Sequence, residues 1–106
     1  MGPTADTEND FTEGSTNSGD TVSVFNISDT ETSDSNLRLS ISNTTYYSIT
    51  NNDDGTATVT LTTAGADYVN AGNDLPSYTV TVTDESIATA TATHDPTVTP
   101  TDDTPI

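Results

Sequence analysis

The sequence lacks cysteine and tryptophan, and it has one basic residue, Arg38, against 17 acidic ones. Without cysteine the chain forms no disulfide and no thiolate metal site. Its single histidine, His94, is too few for a zinc site. Nucleic acids and anionic membrane surfaces are bound through lysine and arginine, so both are excluded as partners. No apolar run approaches the roughly 20 residues that a membrane-spanning helix needs, so no membrane insertion is expected.

The groups that support catalysis are also scarce. A serine or threonine nucleophile needs a positioned base, and the only histidine lies at the end of a strand-like run. The sequence contains no Gly-x-Ser-x-Gly elbow and no glycine-rich phosphate loop. Paired carboxylates can hydrolyse glycosides, but that chemistry needs a deep cleft with aromatic side chains. Since the chain has only four tyrosines and two phenylalanines, we expect that it is not an enzyme.

Low hydrophobicity and a high net charge leave two interpretations of the chain as a whole. Its 106 residues are enough for one small domain, but only 29% of them are hydrophobic and the formal charge is −16. Such a composition is typical of disorder. Self-repulsion of this size weakens a compact state unless counter-ions bind. The ion-free chain is therefore either poorly folded or a domain that depends on bound cations.

Apolar residues alternate with threonine or serine in five runs, and this predicts antiparallel strands with one buried face. The runs are residues 21–24, 37–42, 56–62, 78–83 and 87–93. The residues expected to face one core are Val22, Val24, Leu37, Leu39, Ile41, Val59, Leu61, Val80 and Val82. Phe25 and Ile27 fall on the opposite phase from Val22 and Val24, which indicates a bulge in that strand.

Turn residues separate these runs. Asp54-Gly55 lies between two strand-like runs and predicts a hairpin over residues 51–55. Residues 63–72 tolerate a helix and close on a glycine, so they predict one short helical turn. About seven short strands in a chain of this length favour an all-β fold, an immunoglobulin-like antiparallel β-sandwich. We expect a single domain over residues 1–106, with linker-like ends at 1–10 and 96–106.

Threonine recurs on one face of three predicted strands. The three rows are Thr58, Thr60 and Thr62; Thr79, Thr81 and Thr83; and Thr89, Thr91 and Thr93. A flat, regular threonine array is what an ice-binding surface needs. Threonine is also the ordinary polar residue of a solvated strand face, and the twist of a sandwich sheet disturbs a flat lattice.

Carboxylates cluster at the predicted turns and near both termini. Like charges packed so closely repel one another unless a divalent cation lies among them, and calcium accepts about six to eight oxygen ligands in flexible geometry. We therefore predict several Ca²⁺ ions. Any single acidic residue, those of the 51–55 turn above all, can instead be an ordinary solvated turn residue. The candidate metal ligands are Asp10, Glu13, Asp29, Glu31, Asp34, Asp53, Asp54, Asp67, Asn73, Asp74, Asp84, Glu85, Asp95, Asp102 and Asp103.

The segment from Asp54 to Asp84 resembles the extender repeats of giant bacterial RTX adhesins, and so do the Phe-Thr-Glu-Gly stretch at 11–14 and the acidic, proline-containing tail. Within that family the resemblance extends to the long tandem repeat of an ice-binding adhesin. It implies an immunoglobulin-like or cadherin-like sandwich that is secreted, chained in many copies and rigidified by calcium. The nonapeptide of the RTX calcium β-roll, Gly-Gly-x-Gly-x-Asp, is absent from the sequence.

The resemblance also implies roles for particular residues. Glu13 is similar to a glutamate near the first strand of cadherin-like repeats, and Asp29 and Glu31 correspond to paired acids in the middle of the domain. Asp102 and Asp103 lie where the family has its Asp-x-Asn-Asp-x-Pro linker motif. Here the first acid of that motif falls on a proline and its asparagine is Asp102.

Three functions follow as alternatives. In the first, the chain is a calcium-binding repeat whose partners are adjacent copies, end to end, in an extracellular extender attached to a bacterial surface; the isolated domain is monomeric. Superimposing Pro105 on Pro3 gives a candidate period of 102 residues for such an array, although two Thr/Pro-rich tails can also match by chance. In the second, it is a terminal adhesive module for ice, a sugar or a cell surface. In the third, it is an acidic domain from a salt-loving organism, without a specific metal.

Overall fold

The computed structural model describes residues 2–28, 32–33 and 36–99. These residues form nine strands and one helix: β1 Thr4–Glu8, β2 Phe11–Thr12, β3 Thr21–Asn26, β4 Arg38–Ile41, β5 Tyr47–Asn51, β6 Thr56–Leu61, α1 Thr63–Asn70, β7 Tyr78–Thr83, β8 Thr89–His94 and β9 Val98–Thr99. Seven of the strands are four to six residues long, and β2 and β9 have two residues each.

The strands form an immunoglobulin-like β-sandwich. One antiparallel sheet has the order β1-β3-β6-β5 and the other has the order β4-β7-β8. This is the strand arrangement of the constant-type immunoglobulin domain. The short strands β2 and β9 pair in parallel beside the two sheets. The prediction of an all-β sandwich with about seven strands is confirmed, and so are the five strands that the alternating runs predicted.

The alternation in β6 and β7 determines which residues face the core. Ala57, Val59 and Leu61 of β6 are buried, as are Val80 and Val82 of β7, while the threonines between them lie on the outer faces. Val22 and Leu37 are buried as predicted, and Leu39 and Ile41 are partly buried and pack against the same core.

A bulge in β3 corrects one predicted core residue. The register with β6 shifts between Thr21 and Ser23, so that Val22 and Ser23 are both buried. Beyond the bulge Phe25 continues the inward phase, and Val24 points to the outer face, where it is half-buried. The bulge was predicted, but Val24 as a core residue was wrong, because the extra residue reverses the faces of every side chain that follows it.

Two tyrosines complete the core. Tyr47 and Tyr78 are each 1% exposed, and their ring centroids lie 4.5 Å apart. The Tyr47 hydroxyl donates to the Pro76 carbonyl at 2.6 Å, and the Tyr78 hydroxyl is hydrogen-bonded to Ser23. Both phenols therefore have a polar partner inside the sandwich, as buried tyrosines require.

The helix and the hairpin occur where they were predicted. The hydroxyl of Thr62 caps α1 by accepting from the Gly65 amide at 3.1 Å, and Gly72 ends the turn with a φ of 88°. Gly65 packs so closely under Tyr46 that a Cβ there would overlap the Tyr46 carbonyl oxygen. In the β5–β6 hairpin the turn passes through Asp53, which has a φ of 62°.

Parts of the two predicted linker-like ends take part in the sandwich. β1 pairs with β3, and β9 pairs with β2. Residues 100–106 lie outside the described residues, so the assignment of 1–10 and 96–106 as linkers stays a prediction.

Candidate metal centre: acidic groups at the two ends of the sandwich

The turns of the sandwich lie at two opposite ends. At one end the Ile27 amide donates to the Gly55 carbonyl at 2.9 Å, and Asn51 Nδ2 donates to the Leu37 carbonyl at 3.2 Å. At the other end the Glu13 amide donates to the Thr99 carbonyl at 3.0 Å. We call the first the Gly2 end, residues 2–3, 27–28, 36–37, 52–55 and 84–88. We call the second the Thr99 end, residues 9–20, 42–46, 62–77 and 95–99.

The structure divides the predicted ligands between these ends. Those at the Gly2 end are Asp53, Asp54, Asp84 and Glu85, and those at the Thr99 end are Asp10, Glu13, Asp67, Asn73, Asp74 and Asp95. The remaining candidates, Asp29, Glu31, Asp34, Asp102 and Asp103, lie outside the described residues. Within residues 2–28, 32–33 and 36–99, no three His, Asp or Glu side chains are grouped closely enough to hold a metal ion.

At the Gly2 end the carboxylates also hold the turns. Asp84 Oδ1 accepts from the amides of Ser86 and Ala88 at 2.8 and 2.9 Å. Asp54 Oδ1 accepts from the amide and hydroxyl of Thr56. In both residues these bonds go to one oxygen, and a carboxylate has about four lone-pair sites. A turn role therefore leaves oxygen available for a cation.

At the Thr99 end Glu13 lies against the C-terminus of α1. A Cβ placed on Gly72, just beyond the helix, would be 3.4 Å from the carboxylate of Glu13. The last turn of α1 contains no basic residue. A helix C-terminus carries partial negative charge. The carboxylate of Glu13 therefore lies near the negative end of the helix dipole, where a bound cation would be favourable.

Asn70 positions the segment that carries Glu13, and the sequence patterns did not single it out. Its Oδ1 accepts from the amides of Gly14 and Thr16 at 3.0 and 3.2 Å, and its Nδ2 donates to the Thr16 carbonyl at 2.7 Å. These bonds connect residues more than 50 positions apart, so only the packed structure could reveal them.

The acidic residue Asp20 at this end was also missed. Asp20 and Asp10 line one surface cleft of about 350 Å³, and Asp10 Oδ1 accepts from the Thr97 amide at 3.0 Å. Asp20 Oδ2 accepts from the Asn17 amide at 2.9 Å. The only signal in the sequence was its position between Gly19 and the strand-like run that starts at Thr21.

Burial and nearby acidic groups raise the pKa values of the two buried tyrosines. Burial raises the pKa of Tyr47 far above its usual value, and Tyr78, Asp95 and Asp74 raise it further. Asp95 and Asp74 thus act on the same hydroxyl from two different loops of the Thr99 end. Burial also raises the pKa of Tyr78 to about 12, with Glu8 adding to the effect and the Ser23 hydrogen bond opposing it.

The threonine rows occur largely as predicted. Thr79, Thr81 and Thr83 pair in register with Thr93, Thr91 and Thr89 across β7 and β8. The hydroxyls of Thr79 and Thr93 are 3.0 Å apart. Thr62 does not continue the row of β6, because its hydroxyl donates to the Thr45 carbonyl and caps α1.

Comparison with known proteins establishes a likeness of fold. A solved structure described as "Protocadherin gammaB7 EC3-6 cis-dimer structure" matches with a TM-score of 0.76 and 16% sequence identity. The match covers 97% of this chain and 25% of that chain, so this chain spans about a quarter of the protein that it matches. No family model matches the chain, and no curated protein matches it. The sandwich thus has the fold of a cadherin ectodomain repeat.

The described part of the chain contains no helix long and apolar enough to cross a membrane, since its helix α1 has eight residues.

Proposed function

We propose that this chain is a calcium-binding structural repeat that forms, in tandem array, a rigid extracellular extender carrying the binding region of a bacterial adhesin. The observation that carries this proposal is the division of the acidic turns between two opposite ends of one elongated sandwich. Joined end to end, two copies bring the Thr99 end of one against the Gly2 end of the next.

Junctions between copies would supply what one copy lacks. The described residues of a single chain do not gather three carboxylates, whereas a junction combines Asp10, Glu13 and Asp67 with the acids of the facing turns. Calcium supplies charge neutralisation and coordination by about six to eight oxygens. The protein side chains hold the turns, orient the carboxylates and repel one another when no cation is bound.

Charge explains why the array would respond to calcium. With a net charge of −16 per copy, adjacent ends repel, so an ion-free junction is loose. Ions that bind the assembled junction and not the separated ends stiffen the array by mass action. The likeness to a cadherin repeat and the resemblance to RTX extenders support a location outside the cell and a partner that is the next copy.

Thermal melts of the single domain and of a two-copy tandem test the proposal. They are compared in chelator, in millimolar calcium and in millimolar magnesium at equal ionic strength. We expect calcium alone to raise the melting temperature, and to raise it more in the tandem. Equal melts in all three conditions would sink the proposal, and a dependence on bulk salt alone would favour a halophilic domain.

Two variants that each remove one negative charge show whether the response to calcium depends on the ends of the sandwich. Glu13→Gln removes a carboxylate at the Thr99 end, and Asp6→Asn removes an exposed one in the middle of β1. We expect the first variant to reduce the response to calcium and the second to leave it unchanged. Equal responses would mean that calcium acts through overall charge.

A second candidate function is an adhesive module, favoured by the in-register threonine pairs of β7 and β8. It predicts affinity of a single copy for ice or for a surface glycan without calcium. Thermal hysteresis and glycan-array binding of the 106-residue domain measure this directly.

A further inference from the structure

The β7–β8 turn displays an isoleucine to solvent. Ile87 is 72% exposed, and no other large hydrophobic side chain is exposed among the described residues. Its φ is 68°, a left-handed conformation that a β-branched residue adopts at a cost. The turn is held in place, since the Asp84 and Ile87 amides donate to the Ala88 and Asp84 carbonyls at 3.0 and 3.1 Å. The structure thus fixes an apolar side chain outward rather than letting it fold back.

Arg38 lies beside this turn. It is the only basic residue in a chain with 17 acidic ones, it is exposed at the start of β4, and it forms no ion pair with any residue that the structure describes. Arg38 and Ile87 line one surface cleft of about 370 Å³ together with Asn36, Leu37, Asp84 and Glu85. A single cation and a single exposed aliphatic side chain therefore share one site at the Gly2 end, beside the carboxylates of Asp84 and Glu85.

We propose that Ile87 and Arg38 form the contact surface for the Thr99 end of the preceding copy of this chain. This proposal rests on the tandem array proposed above. A copy joined through Gly2 has its Thr99 end facing this cleft, because the two ends are opposite. That end carries Asp10, Glu13 and Asp67, which complement the one guanidinium.

The Thr99 end also offers an apolar surface for Ile87. Tyr46 and Tyr68 stack there with ring centroids 4.5 Å apart, and both side chains are only partly buried. An aliphatic side chain and a guanidinium both pack favourably on aromatic faces. The Thr99 end thus combines acidic groups for Arg38 with aromatic side chains for Ile87, and this combination favours an end-on partner. In this junction calcium would neutralise the charge, and the direct contact would fix the orientation of one copy relative to the next.

Position-matched variants of a two-copy tandem test this contact. Ile87→Gly and Arg38→Gln are placed either in the second copy, whose cleft faces the first copy, or in the first copy, whose cleft faces solvent. Distances between spin labels in the two copies are measured in saturating calcium. We expect second-copy variants to raise the population of separated domains about tenfold, the equivalent of burying one isoleucine side chain. First-copy variants should match the parent.

The design separates this contact from folding and from the calcium proposal. Glycine adopts positive φ readily, so Ile87→Gly should melt no lower than the parent domain, and loosening will not reflect unfolding. If calcium orders the parent and the second-copy variants equally, the contact proposal is overturned while the calcium extender stands. If second-copy variants loosen a tandem that calcium does not affect, the contact stands and the calcium extender fails.

Discussion

His94 Nδ1 donates to Glu8 Oε2 at 2.8 Å and joins the last residue of β8 to the last residue of β1. These strands belong to different sheets, so the pair connects one edge of the sandwich across its two layers. The side chain of His94 is 10% exposed and that of Glu8 is 43% exposed. The imidazole also meets the ring of Tyr78 edge-on, with centroids 5.7 Å apart. Glu8 thus contributes an exposed carboxylate to the pair, whereas His94 is packed into the sandwich.

That asymmetry predicts unequal effects of substituting the two partners. Glu8→Gln keeps an oxygen that can accept from His94 and should lower the free energy of unfolding by less than about 1 kcal/mol. His94→Ala removes a buried ring and should cost about 2 kcal/mol or more. Urea unfolding at neutral pH measures both. A larger loss for Glu8→Gln would mean that the bond between the two side chains, rather than packing, holds this edge.

The raised pKa of Tyr78 predicts that the domain loses stability at high pH. Its pKa is raised to about 12 in the folded domain, against about 10 in an unfolded chain. The folded state therefore favours the neutral phenol. Its contribution is fully present below the unfolded pKa and is lost as the pH rises through the folded pKa. We expect the free energy of unfolding to fall by on the order of 2 kcal/mol between about pH 9 and pH 12.

The control for this effect is Tyr78→Phe. It removes the ionisable hydroxyl, and it should flatten the decline while lowering stability at neutral pH by leaving Ser23 without its partner. Tyr47 acts with the same sign, since its pKa is also raised, so some decline should remain. A variant with the parent's full slope would show that the decline does not come from Tyr78.

Asn70→Ala should destabilise the domain in chelator. It removes three hydrogen bonds to the segment at Gly14 and Thr16, and we expect a loss of about 1 to 2 kcal/mol. Asn73→Ala is the matched control, because Asn73 is exposed in the following loop and should change stability by less than about 0.5 kcal/mol without calcium. Chemical denaturation of both variants gives the comparison, and equal losses would contradict the positioning role of Asn70.

Two glycines near α1 should differ in their tolerance of alanine. Gly65→Ala places a methyl group onto the Tyr46 carbonyl oxygen and should cost about 3 kcal/mol, because backbone must move. Gly72→Ala meets only ordinary contacts, so its cost should be about 1 kcal/mol for the φ of 88°. Melting temperatures rank the two variants. The reverse order would indicate that the close approach of α1 to Tyr46 relaxes easily.

The strands that sequence patterns predicted are those in which apolar residues alternate with threonine or serine; β5 was not among them, although its Tyr47 is buried. In β6 and β7 every second residue is apolar, because one side of each strand meets the core and the other meets water. β1 gave no such signal, since all five of its residues are exposed; it is held by backbone pairing with β3 and by the bond between Glu8 and His94. β2 and β9 are too short to show a period, and Val24 was misassigned because the bulge reversed its face.

The candidate site was predictable in kind but not in arrangement. Turns attract aspartate and asparagine, so carboxylates such as Asp54 and Asp84 were found from their place between strands. Their division between two ends follows from the strand order, which no local pattern contains. Asn70 and Asp20 were missed for the same reason, since their partners or neighbours come from packing.

The sequence by itself determined the sign and size of the charge, the absence of cysteine and so of thiolate ligands, and the strands whose alternation makes one face apolar. These are local properties, since they depend on composition or on neighbours one and two residues away. The tertiary structure decided that Glu13 lies against the end of α1, that His94 meets Glu8, and that Ile87 and Arg38 share a cleft. Such contacts join residues tens of positions apart, and they exist only because packing of the two sheets fixes where each loop ends.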